Sequence, residues 1–425
     1  MALHTVDPTT AHPRSTGMDE VDRVLSGGFH PGSVTLLGGE PGVGKSTLLL
    51  QLLVLAARGG PVLLVAAEES AAQIRVRAER LGPVPDALYV LATDDLDEVV
   101  ATVESLRPEL VVVDSIQVVV DRGLSAGGGS IAQVRGCAER LVRLAKDRGP
   151  TVVLVGHVTK DGDLAGPRVL EHLVDTVVSL EGDRHHALRV LRAVKHRFGS
   201  TGDLGLFVMG SEGLESVEDP GTLLLGDRRP DVPGSVVAPL VSGRRALLVE
   251  LQVLIGHHQG TMVQRVQGID SGRLSLVLAV LGAHLDVSFD ANGVFASAVG
   301  GVRATEPALD LPLALALISA ATGIPVPEGV VAFGEVGLTG EVRHVPHAAA
   351  RLAEAARLGC TDAIVPRSCT PLRADLRQHP VGSVTEATEV LRHLLGATVT
   401  QLVELAGRLA DVVTTCGQVA GKGGG

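Results

Sequence analysis

Residues 39–46 read Gly-Glu-Pro-Gly-Val-Gly-Lys-Ser, a full match to G-x-x-x-x-G-K-[ST]. The match follows an apolar run at 34–37 and opens a leucine-rich stretch, 47–57, with helical spacing. The local order is therefore strand, tight loop, helix, which restricts the fold to sheets whose strands feed helices. Glycines let the backbone wrap until its N–H groups point at phosphate oxygens, and the helix N-terminus adds a favourable dipole. Gly39, Glu40, Pro41, Gly42, Val43, Gly44, Lys45, Ser46 and Thr47 are the candidate nucleotide-binding residues. Lys45 is expected to bridge the β and γ phosphates of ATP, and Ser46 to ligate Mg²⁺.

A magnesium ion held through its water shell needs a second acidic group. Asp114 ends the apolar run 110–113 and is followed by Ser115, so it is a strand-end carboxylate suited to that task. Hydrolysis also needs a group to orient or deprotonate the attacking water. Glu68 and Glu69 follow the apolar run 62–66, and Glu68 is the preferred candidate. For Glu69 the competing reading is a solvated acidic residue at a helix start, where the macrodipole favours it.

The pattern around this loop extends over the first half of the chain. Apolar runs at 34–37, 62–66, 111–114, 152–156, 176–180 and 188–194 alternate with helical patterns at 45–57, 71–81, 96–106 and 131–146. That predicts an α/β fold with a mostly parallel sheet covered by helices. With 425 residues, two folded units are expected. A stretch rich in Pro and Gly follows, and beyond it strands at 246–254, 294–299 and 330–334 mix with helices at 273–284, 308–321 and 347–358, an α+β order. The expected division is an extension at 1–13, a nucleotide-binding domain at 14–218, a linker at 219–234, an α+β domain at 235–396, and a C-terminal helix with a glycine-rich tail at 397–425.

Composition excludes several classes. Apolar residues make up 45% of the chain and charged residues 20%, enough for packed cores and unlike a disordered chain. With no Trp, one Tyr and six Phe, a surface of stacked aromatic rows is not expected. The net charge of −11 requires any nucleic-acid contact to come from a local basic patch. Cys137, Cys360, Cys369 and Cys416 form no C-x-x-C pair, so neither a zinc knuckle nor a disulfide framework is expected. The N-terminus lacks the pattern of a signal peptide, and the most apolar stretches are interrupted before they could span a bilayer. A cytoplasmic protein without membrane contact is expected.

One basic segment stands out. Arg189, Arg192, Lys195 and Arg197 occur without an intervening acidic residue and lead into Phe198-Gly199. Composition leaves two readings open, a solvated strand edge protected against aggregation and a cationic finger for a neighbour's nucleotide or a DNA phosphate.

At this point the sequence resembles a known family, the RadA/Sms bacterial DNA-repair ATPases, relatives of RecA-like recombinases and replicative helicases. The resemblance runs from about residue 14 to 366. It is carried by TGMDEVDRVLSGG at 16–28, LLGGEPGVGKSTLLLQ at 36–51, EES at 68–70, VVVDSIQ at 111–117, GHVTKDGDLAGPRVLEHLVD at 156–175 and KHRFG at 195–199. It implies a RecA-like ATPase core in a homo-hexameric ring that binds single-stranded DNA and branched recombination intermediates, promotes branch migration and works with a RecA recombinase. It supports Glu68 as the water-activating residue. It also gives Lys195, His196, Arg197, Phe198 and Gly199 a role in coupling nucleotide to DNA, with the cations reaching a neighbouring subunit. His157 and Lys160 fall at a sensor or DNA-loop position, with a satisfied structural histidine as the other reading of His157. The chain departs from the family pattern twice. A four-cysteine zinc module usually comes first, whereas here the first cysteine is Cys137, so no metal other than Mg²⁺ is expected; and the segment usually reads Lys-Asn-Arg-Phe-Gly, whereas here its second residue is His196.

The later part is similar to the Lon-protease-like domain that this family carries, through residues 300–321 and 330–345. The nucleophilic Ser position aligns with Ala308 and the Lys base with Ala349, so the pair needed for an acyl-enzyme is missing. The domain is therefore expected to be non-proteolytic, a platform for oligomerisation and DNA binding. Two other classes share the phosphate loop: an ATP-dependent peptidase, and a RecA-like signalling ATPase or autokinase.

Overall fold

The structure is a computed structural model, and it describes residues 12–158, 164–165, 169–182, 188–217, 219–243, 245–257, 263–285, 287, 289, 292–369 and 374–396. The chain divides into two compact units, with the break at 218/219 and a short return of residues 242–244 to the first unit.

The first unit runs α1 (Asp19–Val24), β1 (Val34–Gly39), α2 (Lys45–Ala56), β2 (Val62–Ala66), α3 (Ala71–Arg80), β3 (Leu88–Leu91), α4 (Leu96–Leu106), β4 (Leu110–Asp114) and α5 (Ile131–Arg148). It continues with β5 (Thr151–Val155), β6 (His157–Val158), β7 (Leu164–Ala165), α6 (Val169–Leu173), β8 (Thr176–Glu181), β9 (Leu188–His196), β10 (Leu204–Gly210) and β11 (Gly213–Ser216). Nine strands form one sheet in the order β11-β10-β9-β8-β1-β5-β4-β2-β3. The pairings from β8 across to β3 are parallel, while β8-β9, β9-β10 and β10-β11 are antiparallel. The central strands β1, β2 and β5 are buried along their whole length, which explains their continuous apolar runs. Helices cover both faces. One core gathers Leu48, Leu49 and Leu53 of α2 with Leu37, Leu64 and Val112, and the other gathers Val99, Val103, Cys137 and Leu141 with Leu36, Val113 and Leu154.

Parallel strands place all their C-terminal ends at one edge, where such sheets bind ligands. In this unit that edge carries the loop after β1, the turn after β2 and the end of β4, and the register sets Ala66 opposite Asp114.

The second unit begins with α7 (Pro220–Leu225), β12 (Ser235–Ser242), β13 (Arg245–His257), β14 (Val263–Gln267), α8 (Ser271–Leu285), β15 (Asn292–Ala298) and α9 (Asp310–Thr322). It ends with β16 (Val330–Ala332), β17 (Glu335–Val336), β18 (Val342–Arg343), α10 (Ala348–Arg357), β19 (Asp362–Pro366), β20 (Arg377–Val381) and α11 (Val384–Leu394). Seven strands make a mixed sheet in the order β14-β15-β13-β12-β16-β19-β20. Helix α9 is apolar almost all round and is buried from Asp310 to Ser319, as a helix inside a core must be. The stretch 219–234, expected to be a linker, holds α7: Asp219 caps its first turn, accepting from the Thr222 amide, and Pro220 starts it. Asp219 is also paired to Arg357 at 2.8 Å. The tail at 397–425 lies outside the described residues.

Candidate active site

Helix α2 starts from Gly44, whose left-handed backbone (φ 114°) is open to glycine. Gly39 is equally constrained: a Cβ there would stand 2.5 Å from the Leu180 carbonyl oxygen. Two further contacts brace this loop. Arg189, buried on β9, donates from Nε to the Val43 carbonyl at 2.9 Å. Gln51 of α2 holds the β10–β11 hairpin by accepting from the Leu214 amide at 2.9 Å and donating to the Leu214 carbonyl at 3.1 Å.

Lys45 is only 5% exposed, and its ammonium donates to the Gly39 carbonyl at 2.7 Å and the Glu40 carbonyl at 3.0 Å. Burial pulls its pKa below the usual lysine range, against the opposing pull of the Asp114 and Glu68 carboxylates. Ser46 donates from Oγ to Asp114 Oδ2 at 2.8 Å. Ser115, fully buried, donates from Oγ to Glu68 Oε1. Glu69 instead pairs with Arg77 of α3, while Ser70 caps that helix. The two adjacent glutamates are thus separated: Glu68 joins the strand ends and Glu69 the helix. Ser46, Glu68, Asp114 and the Glu69–Arg77 pair nevertheless line one small cavity with Leu64 and Ile74.

The donor set suits its expected ligands. A hydroxyl and a carboxylate oxygen within hydrogen-bond distance are hard ligands of the kind magnesium takes, and the first-turn amides of a helix such as α2 have no intrahelical carbonyl partners. Ser115 and Arg189 are the residues that the sequence reading left without a role here. Strand periodicity could have found Arg189, because Leu191 and Ala193 at the same phase belong to the core on the α2 side.

The basic segment is dispersed by the fold. Arg189 goes to the phosphate loop, and Arg192 lies 3.9 Å from Glu181. Lys195 donates to the carbonyls of Glu171 at 2.6 Å and Val174 at 2.8 Å, around the end of α6. Desolvation and the nearby Arg197 lower its pKa. Arg197 pairs with the buried Asp175 at 2.9 Å while its own side chain stays half exposed. Phe198 is exposed and Gly199 follows in the same bend. Backbone of His157 lies in β6, and Lys160 lies outside the described residues.

In the second unit, Ala308 is buried just before α9 and Ala349 is exposed on α10. Two residues from each, Arg351 and Glu306 form an ion pair, Nη2 to Oε2 at 2.6 Å and Nη1 to Oε1 at 2.8 Å.

An AAA domain matches residues 6–163, and the model for subunit ChlI of Mg-chelatase matches residues 296–369. A DNA repair protein RadA from Brucella abortus is 45% identical over 85% of this chain and 79% of its own length. Those of Mycolicibacterium smegmatis (42%, covering 92% and 85%) and Streptococcus pneumoniae (41%, covering 92% and 94%) extend the match. The chain belongs to the RadA family of DNA repair proteins. As in an ATPase of that family, the first unit carries the AAA-type domain, and Lys45, Ser46, Glu68 and Asp114 all lie within or at the strand ends of the matched region. Among the described residues, no helix is long and apolar enough to cross a membrane.

Proposed function

We propose that this RadA-family chain is a DNA-dependent ATPase of recombinational repair, a cytoplasmic homo-hexameric motor that binds single-stranded DNA and promotes branch migration alongside a RecA recombinase. The observation that carries the ATPase chemistry is the convergence of Asp114 and Glu68, from neighbouring strands, on Ser46 and Lys45. Lys45 exchanges its two carbonyl partners for the β and γ phosphate oxygens of ATP, a move that its partial desolvation favours once anionic acceptors replace neutral ones. Ser46, and Asp114 through the water shell, would hold Mg²⁺, which when bound would neutralise phosphate charge. Glu68, positioned by Ser115, accepts a proton from the attacking water or aims it at the γ phosphorus. Lys195 and Arg197 act on a neighbour's nucleotide or on DNA, and for Arg197 this requires exchanging Asp175 for the new anion.

The second unit serves as a non-proteolytic platform. Ala308 offers no hydroxyl and Ala349 no amine, and the charged groups two residues away, Glu306 and Arg351, are committed to each other. Casein turnover by the purified chain would reject this part of the proposal. The main test is ATP hydrolysis with and without single-stranded DNA, on wild type, Lys45→Ala and Arg197→Ala. Strong stimulation in wild type, no hydrolysis in Lys45→Ala and no stimulation in Arg197→Ala are expected. Equal rates with and without DNA in the wild type overturn the proposal.

A further inference from the structure

The segment 195–199 ends against a ring cluster. Phe198 stacks on His30, with centroids 4.1 Å apart and planes inclined by 23°. His196 meets both rings edge-on, 6.0 Å from Phe198 and 6.4 Å from His30. The Nδ1 of His196 shares a hydrogen bond with Thr176 Oγ1 at 2.9 Å, and its Nε2 is buried. The chain then passes so close to the end of α1 that a Cβ on Gly199 would fall 1.9 Å from Ser26 Oγ. Arg197 stands between His196 and Phe198 in sequence, and its amide donates to the Asp175 carbonyl at 3.1 Å. Fixing both flanking rings fixes the backbone from which the guanidinium projects.

We infer that His30, in the connection between α1 and β1, is a positioning residue for Arg197, acting through its stack on Phe198 and its contact with His196. The inference rests on the proposed coupling role of segment 195–199. His30 touches neither phosphate nor reacting atoms; it sets where the half-exposed guanidinium stands relative to an incoming anion.

The seat favours an uncharged His196 ring. The ionisable groups around it are His30 from the α1–β1 connection and Asp175 from the turn before β8, the latter already paired to Arg197 and 3.6 Å from Lys146 of α5. Lys195 is turned to the α6 carbonyls. Burial lowers the His196 pKa, with the Leu25 carbonyl opposing and the His30 ring adding to the effect. A histidine with a depressed folded pKa stabilises its seat above the ordinary value of about 6.5 and loses that contribution as pH falls through it.

The test is the ratio of ATP hydrolysis with and without an oligothymidylate, measured on the full chain from about pH 8 to about pH 5.5, the range in which histidine titrates. His30→Ala is expected to lower the ratio about tenfold at neutral pH with the KM for ATP unchanged, the scale set by misplacing a group that is still present. His30→Phe restores the stack and the ratio. In the wild type the ratio falls with acidity, whereas in His196→Asn it holds. A wild-type ratio in His30→Ala, or a ratio in a folded His30→Phe as low as in His30→Ala, overturns the inference. Stimulation that survives Arg197→Ala overturns instead the coupling role on which it rests, so the two failures are distinguishable.

Discussion

Replacing Arg351 by Met should unfold the second unit early, and the size of the effect can be worked from its contacts. The Arg351 side chain is fully buried and donates to both Glu306 oxygens, to the Pro346 carbonyl at 3.2 Å and to the Pro239 carbonyl. Met matches its stem but supplies none of these donors, leaving two carbonyls short of a partner and a carboxylate without its cation. Breaking a buried ion pair costs about 3–5 kcal/mol. Glu306 keeps a hydrogen bond from the Val241 amide at 2.9 Å and is 22% exposed, so water recovers part of its solvation. We therefore expect about 3 kcal/mol, or roughly 6–12 °C in the melting of a unit this size. The double variant Arg351→Met with Glu306→Gln should recover much of that loss, because no buried charge is then stranded. Calorimetry is the suitable assay, since the chain has no Trp and one Tyr. A shift below about 2 °C in the single variant, or a double variant as unstable as the single, would refute the assignment of Arg351–Glu306 as the tie between the α9 and α10 ends.

Glu68→Gln should keep nucleotide binding while cutting hydrolysis by about 10²–10⁴-fold, the usual worth of a general base, and single-turnover rates beside nucleotide affinity would show it. Ser115→Ala should lower the rate without altering affinity, since it removes the hydroxyl that holds Glu68, and the same two measurements separate the effects. The Cys137 thiol, pushed up to about 11 mainly by burial, should resist alkylation at about pH 8 in the native chain and react on unfolding, as mass spectrometry of labelled peptides would report.

Much of the first unit was legible because its strands are buried on both faces and its helices carry apolar stripes. Strands β1, β2, β4 and β5 and helix α4 fall within a residue or two of the expected limits. What escaped has identifiable causes. Strand β3, Leu88–Leu91, is a half-exposed edge of four residues, too short to show a period. Strand β12 is buried over Ser235–Leu240 but contains Pro239, a residue that ordinarily argues against an inner strand. Its carbonyl instead takes a donor from Arg351, a contact no local pattern predicts. At the site, the glycine loop and the strand-end carboxylates are local motifs, so they could be read directly. Ser115 could not, because its partner Glu68 is 47 residues away, and for Arg189 the strand phase shows which way it faces but not its partner Val43, 146 residues away. The basic segment shows the same limit: its run holds no acidic residue, yet the fold brings Glu181 and Asp175 from β8 and the turn before it to meet Arg192 and Arg197.

The pairing of Arg197 with Asp175 bears on how hydrolysis could depend on assembly. Asp175 is buried and also accepts from the Val34 amide at 3.1 Å, at the start of the strand that carries the phosphate loop at its other end. If Arg197 leaves for a neighbour's phosphate, Asp175 retains that amide and Lys146 at 3.6 Å, so its charge is not stranded and the exchange costs less than breaking an isolated buried pair. The guanidinium, half exposed already, has little further desolvation to suffer before it meets a multiply charged anion. On the proposed reading a cation held this way is available to an adjoining nucleotide and has a partner without one. Within one chain Lys45, Ser46, Glu68 and Asp114 are already assembled, and on the proposed reading Arg197 is the further cation that assembly and DNA bring to a nucleotide.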